Sequence, residues 1–543
     1  VNTYNQLTGD LIPPVAADRQ RNRSASQLTN VTSWLQATYE KTFGDHAIKL
    51  LAGYNQETSK SDVFGAFRNG FPSNSVRVLN VGNSANATNF EESTEWALQS
   101  YFGRFNYIFK DRYLFEANLR VDGSSRFLED KWGSFPSFSA GWILSEESFF
   151  NVPFIDFAKI RGSWGRLGNQ NIGDFAYASE LSLQEAYSFG GTVVPGSAST
   201  TLGNPMLTWE ETTSANIGVN LGLWDSRIQI EADYFTRETS GILYNVPVPR
   251  ITGFENQIRN SAIVENQGWE LGLAYNDNFG DLDFQIGGNV TYVNSNVLQV
   301  DETKTGEETD RFINGNQIVE RGQQINSYFG YQADGIFRSQ SEFDAAPDHT
   351  TINPNYGPGD VRLVDTNGDG TINPEDRVVI GKQDPTWSYG FNLNVGYRGF
   401  DLGAIFQGAA DFQSYAQAEL AQPFYNQSAL QARWLDSWSP ANTDASMPRL
   451  YPTDGPSNAA INSFWLLDRT YFRLKNLQLG YTLPATIWEN NFVRSVRVYA
   501  NAQNLFTITD FPYFDPERPA NADRGGDGFP NLRIISAGVN ISF

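Results

Sequence analysis

The residues of this chain best suited to chemistry lie in one run, Asp365-Thr366-Asn367-Gly368-Asp369-Gly370-Thr371-Ile372-Asn373-Pro374-Glu375-Asp376. Counted from Asp365, side-chain oxygens fall at positions 1, 3 and 5, a glycine at 6 and an apolar anchor, Ile372, at 8, which is the pattern of an EF-hand calcium loop. Oxygen donors at alternate positions wrap a hard cation of about seven-fold coordination, Gly370 permits the sharp turn, and Thr371 offers its main-chain carbonyl. Position 12 is Asp376 where a glutamate is usual, so the last ligand is expected to reach less well or to bind through one oxygen. The sequence therefore predicts Ca2+ held by Asp365, Asn367, Asp369, Thr371 and Asp376, stiffening a loop rather than catalysing. The blander reading is an Asp/Asn/Gly-rich turn that binds nothing.

Enzyme chemistry has little else to use. The absence of cysteine removes disulfide frameworks, thiolate metal sites and cysteine nucleophiles. The two histidines, His46 in a short turn and His349 in a loop beside Asp348, lack metal-ligand spacing and read as isolated surface residues. There is no Gly-x-Ser-x-Gly elbow and no phosphate loop. Paired carboxylates for glycoside cleavage stay open, because 61 acidic residues guarantee chance pairs. Phe424, Tyr425, Trp434 and Trp438 read as loop packing or membrane-interface residues, the alternative being platforms for sugar rings or a grip on peptide. A net charge of −22 argues against nucleic acid as a partner.

The elements that must carry the loop are strands with one greasy and one polar face. Ile535, Ala537, Val539, Ile541 and Phe543 alternate with Ser536, Gly538, Asn540 and Ser542, ending the chain on an aromatic. Ile228, Ile230, Ala232 and Tyr234 oppose Arg227, Gln229, Glu231 and Asp233, and the same period runs through Leu282 to Tyr292 and Tyr389 to Tyr397. Soluble sheets seldom sustain such long alternating strands with aromatic ends. No apolar run approaches the roughly 18 residues of a spanning helix, so a membrane protein of this composition must cross as a closed barrel of strands.

Short connections (43–46, 109–112, 224–226, 277–281 and 397–400) alternate with long polar ones (59–89, 169–205, 240–262, 296–385, 409–463 and 507–530), the pattern of periplasmic turns and extracellular loops. All short turns fall on one side if 296–385 is a single extracellular excursion, within which any strands, such as those around Tyr328 to Phe337, occur in an even number or do not cross. That gives about 15 membrane strands. A complete single-chain bacterial barrel has an even number, so the first part of the barrel is expected to lie outside this chain or on another polypeptide. No signal peptide is visible at Val1.

Several segments resemble one family, the SusC/RagA-type TonB-dependent transporters of the Bacteroidetes outer membrane. They include Tyr101-Phe102-Gly103-Arg104-Phe105-Asn106-Tyr107, Arg120-Val121-Asp122-Gly123-Ser124-Ser125-Arg126-Phe127 and Lys131-Trp132-Gly133-Ser134-Phe135-Pro136-Ser137. Asn266-Gln267-Gly268-Trp269-Glu270, Arg473-Leu474-Lys475-Asn476-Leu477 and Asn501-Ala502-Gln503-Asn504-Leu505-Phe506 continue the match in order. The resemblance implies an all-β, plugged, 22-stranded barrel that imports a large nutrient, a glycan or a peptide, with energy relayed by TonB and a SusD-like surface lipoprotein as lid. Residues 1–543 would then be the C-terminal barrel portion, without TonB box, plug or small N-terminal domain, and TonB would act through a region not in this chain. The alternatives are a barrel serving as an assembly subunit of an envelope complex and, further off, an outer-membrane hydrolase.

Overall fold

The computed structural model describes residues 3–4, 11–12, 19–300, 311–425, 429–451, 455–458, 460–484, 492–513, 515–517 and 530–543. Fifteen long strands dominate it: β1 (Arg21–Phe43), β2 (His46–Arg68), β3 (Thr88–Phe109), β4 (Tyr113–Ser124) and β5 (Trp132–Ile143). They continue as β6 (Ile155–Asn169), β7 (Glu210–Leu223), β8 (Ile228–Ser240), β9 (Ala262–Phe279) and β10 (Leu282–Val300). The last five are β11 (Trp387–Tyr397), β12 (Phe400–Ala410), β13 (Tyr471–Thr482), β14 (Ser495–Thr509) and β15 (Ile534–Ser542). Each pairs antiparallel with the next in chain order, forming a single fifteen-stranded sheet with β1 and β15 as its two edges.

Register turns the alternation of each strand into a property of the sheet, because residues directly opposite share a face. Leu223, Ile228, Tyr275, Ile286, Leu393, Ala404, Leu477, Ala502 and Ile535 form one cross-strand row over β7–β15. No member is charged. On the other face Asn220, Glu231, Gly272, Asn289, Gly390, Gln407, Arg473 and Thr507 form a second row, and it holds no apolar side chain larger than glycine. A one-residue slip of β10 or β11 would put Gln285 or an asparagine into the apolar row, so the pattern helps fix the register.

Aromatic rings mark the borders of the apolar face. Phe43, His46, Phe109, Tyr113 and Trp142 are paired neighbours on β1–β5, with successive ring centroids 5.5, 4.9, 6.0 and 6.3 Å apart. At the far end Trp269, Tyr292 and Trp387 pack at 6.1 and 4.9 Å. Leu282 to Tyr292 is ten steps of about 3.4 Å, and at a tilt of 35–45° this projects to about 25 Å, the height of an outer-membrane apolar band.

Most connections at the Phe43–Trp142 end are short, although 144–154 and 483–494 are longer. Lys110 and Asp111 both have φ of 53°, the mirror-image turn that matches strand twist. At the other end β1, β2 and β3, with 23, 23 and 22 residues, run well past the apolar band, so β2 reaches Arg68 where the sequence pattern stops at Ser59. The backbone ladder persists there, but neither face touches lipid and the alternation fades.

Between β10 and β11, residues 311–386 fold into small sheets of their own. One joins Arg311–Asn314, Gln317–Glu320, Ser327–Tyr331 and Arg377–Gly381, and another pairs Ala333–Ile336 with Val361–Leu363. Tyr328 from this excursion shares a core with Tyr415, Trp434, Met447 and Trp465 from the β12–β13 connection. Phe464 and Ala460 of that connection also pack on the excursion's second core of Phe337, Tyr356, Val361, Leu363 and Ile372. The two loops are thereby one packed module.

Candidate metal loop and the surfaces around it

The 365–376 loop hangs between Val361–Leu363 and Arg377–Gly381, anchored by Ile372, which is fully buried. Backbone bonds between Asp348 and both Gly370 and Ile372, each 2.9 Å, clamp it to the 345–353 segment. Gly368 and Gly370 take φ of 77° and 86°, a region side chains resist.

The five sequence-predicted ligands divide into two groups. Asp365 accepts from the Gly368 N–H (2.6 Å) and the Gly370 N–H (2.8 Å). Asn367 accepts from the Asp369 N–H and Asp369 from the Thr371 N–H, both at 2.8 Å, while the Asn373 amide links Asp369 (2.8 Å) to the Thr371 carbonyl (3.3 Å). These four residues are therefore gathered on one exposed or half-buried turn. Asp376 behaves differently. It is fully buried, its Oδ1 accepts from the Thr366 N–H, the Asn367 N–H and the Thr366 hydroxyl, and its Oδ2 accepts from the Asn373 N–H. Burial pushes this carboxyl's pKa up, but the donors from Asn373, Asn367 and Thr366 outweigh burial and leave it below the usual carboxylate range. Asp376 thus closes the loop and has at most one oxygen, Oδ2, left for a cation. Among the described residues no three His, Asp or Glu side chains converge as a metal cluster; the turn gathers two carboxylates, one amide and one carbonyl, with Oδ2 of Asp376 as the one further oxygen.

His349 is not the surface residue expected. It is fully buried against Phe337 and Tyr356, its Nδ1–H donates to the Pro347 carbonyl (2.7 Å) and its Nε2 accepts the Leu363 N–H (3.0 Å). Both ring nitrogens are thus assigned, and burial lowers its pKa. His46 is half-buried in the aromatic border, with Nδ1 2.7 Å from the Tyr107 hydroxyl. Of the loop aromatics, Trp434 belongs to the module core, Trp438 donates to the Arg338 carbonyl (3.2 Å), and Phe424 and Tyr425 stay exposed.

Three features escaped the sequence reading. Asp360, fully buried, accepts from Arg449 (2.7 Å), Ser457 (3.1 Å), Tyr451 (3.2 Å) and the Gly357 N–H (3.0 Å), tying the excursion to the β12–β13 connection. Arg473, also buried, binds Asp515 (2.7 Å) and Glu517, and so fastens the β14–β15 connection to β13. Between β6 and β7 a hairpin of Leu181–Phe189 and Thr192–Ser199 stands out, with Leu181, Leu183, Tyr187 and Phe189 each more than 60% exposed. Its sequence signal was Phe189-Gly190-Gly191-Thr192: both glycines take positive φ, as a two-residue hairpin turn demands.

Set against known families, residues 2–404 match the family described as TonB dependent receptor-like, beta-barrel. The chain belongs to this family. Within it the likeness is to members of SusC/RagA type. A TonB-dependent receptor, P3, of Formosa agariphila is 31% identical over 95% of this chain and 52% of its own length. The TonB-dependent receptor SusC of Bacteroides thetaiotaomicron is 30% identical over 83% of this chain and 44% of its own length. The fold matches the structure of the RagAB peptide transporter with a TM-score of 0.81 at 24% identity, covering 96% of this chain and 56% of that one. The chain therefore spans about half the length of the relatives it matches. The family places it in the bacterial outer membrane, so the apolar face meets lipid and the polar face lines the barrel interior.

Proposed function

We propose that this chain is the greater part of the wall of a SusC-like importer, which moves a large nutrient, a glycan or a peptide, across the outer membrane. TonB coupling would come from the part of the relatives' length that this chain does not span. The observation that carries the reading is the pair of opposed rows on β7–β15, one wholly apolar and the other built of amides, charges and glycine. A wall of that kind is a lipid-facing barrel with a polar passage. Interior charges are held in place on it, as where Arg161 binds both Glu231 (2.6 Å) and Asp233 (2.5 Å). We assign no catalytic step to these groups.

The partner we propose is a SusD-like surface lipoprotein acting as a lid. Support comes from the 181–199 hairpin, whose exposed apolar stripe of Leu181, Leu183, Tyr187 and Phe189 is the mark of a protein contact. Ca2+ in the 365–376 loop is proposed with it, held by Asp365, Asn367, Asp369, the Thr371 carbonyl and Oδ2 of Asp376. The ion would fix the loop beside the module core.

The test is affinity purification of the full-length protein from native outer membranes, followed by mass spectrometry of what accompanies it and growth on candidate polymers. A lipoprotein at equal stoichiometry, with growth on one polymer lost on deletion, is the expected result. A stable complex of envelope assembly proteins with unchanged nutrient use would overturn it.

A further inference from the structure

The lipid face of β4–β7 is not flat. Phe115, Ala140, Gly162 and Ile217 form one cross-strand row, in which the two middle residues raise almost nothing between two bulky ends. On the side of the short turns Tyr113 and Trp142 stack at 6.3 Å with Ile160 next to them. On the other side Phe138 and Trp164 stack at 6.1 Å. The result is a shallow hollow of about 980 Å3, widely open on the lipid side. The glycine is not forced by packing: a Cβ on Gly162 would meet only the Asn216 carbonyl oxygen, at 3.8 Å.

The rim is held in place. Glu147 accepts from the Tyr113 hydroxyl (2.6 Å) and the Trp142 indole N–H (3.0 Å), so both rings stand in fixed positions. Next to them the turn presents two cations. Lys110 is half-exposed, with its nearest carboxylate, Asp45, at 3.9 Å, and Arg112 is about one-third exposed, with Glu147 at 3.4 Å. In a bilayer no hydrophobic gain separates an acyl chain from a leucine. What holds a lipid is the number of contacts: a chain on a flat wall is touched on one side, and a chain in a hollow on several. The phosphate of the same lipid meets charge-assisted donors at the turn.

We infer that the hollow over Ala140 and Gly162 is a site for one acyl chain of a phospholipid of the periplasmic leaflet, with its phosphate against Lys110 and Arg112. The occupant is apolar because the walls are, and comes from that leaflet because the cations lie at the short-turn end. Bound there, the lipid would travel with the barrel through extraction.

The experiment is native mass spectrometry and lipid analysis of the full-length protein, with whatever partners it holds, after extraction from outer membranes and extended detergent washing. One glycerophospholipid per chain is expected in the unaltered protein, with about tenfold less retained in Gly162→Leu and a severalfold loss in Lys110→Glu. Gly103→Leu is the control, since it puts the same side chain on the same face of β3, where its Cβ has 3.6 Å of clearance. Heat-modifiable gel migration confirms assembly, and Ala140→Leu replaces Gly162→Leu if that variant fails to assemble. Equal retention in Gly162→Leu and the control, a bound lipopolysaccharide in place of a phospholipid, or a second copy of the chain whose contact Gly162→Leu breaks would each overturn the inference.

Discussion

Asp365 and Asp369 each spend their carboxylates on N–H groups of their own turn, so they have a folding role beside the ligand role proposed for them. With Ca2+ bound, Asp365→Ala combined with Asp369→Ala should abolish metal retained after dialysis, read by elemental mass spectrometry, and loosen 365–376 in hydrogen exchange. Unchanged metal content in the double variant would sink the site. Asp360→Ala is a separate matter. It strands the Arg449, Ser457 and Tyr451 donors, and breaking such a buried pair costs about 3–5 kcal/mol when fully enclosed, less here because Arg449 is partly exposed. Limited proteolysis within 446–458 should rise while the barrel stays assembled. The EF-hand-like turn was legible because its oxygens are local and their spacing is set by one turn. Asp360 was not, since its partner Arg449 is 89 residues away and one acid among 61 carries no mark.

Strands that touch lipid were legible as far as the lipid reaches. The alternation of Ile228–Tyr234 and Leu282–Tyr292 is enforced by two different solvents, whereas the upper halves of β1–β3 have water on both sides and no period to read. The 181–199 hairpin lay hidden in a long loop, though its Gly-Gly turn was in view. Replacing Leu181–Ser199 with a short Gly-Ser bridge should leave the barrel assembled and abolish capture of the lipoprotein in a pull-down. Retained capture would remove the hairpin from that role. The Val361–Leu363 strand depends on His349, whose Nε2 must stay unprotonated to accept the Leu363 N–H. Its folded pKa lies below the ordinary value of 6.5, so the stabilisation is complete above that value and declines as pH falls through it toward the folded pKa. The protection factor of the Leu363 amide should therefore fall as pH drops from 7.5 to 5, and an unchanged protection factor across that window would contradict the assignment.

At the scale of the molecule the two faces predict opposite tolerance. Leu273→Arg, which pairs with Ile230 in the apolar band, should cost about 2–4 kcal/mol near the bilayer midplane. Asn289→Arg, opposite Gly272 on the interior face, should cost little. The assembled fraction by gel migration across a urea series would show the difference, and equal losses would mean the faces have been assigned the wrong way round. The extracellular side has its own mechanics. Because the excursion and the β12–β13 connection share a core and the Asp360–Arg449 tie, they cannot part like shutters. They form a lever arm: a push on either is delivered to both, and the bending falls on the four strand tops of β10–β13 that serve as its fulcrum.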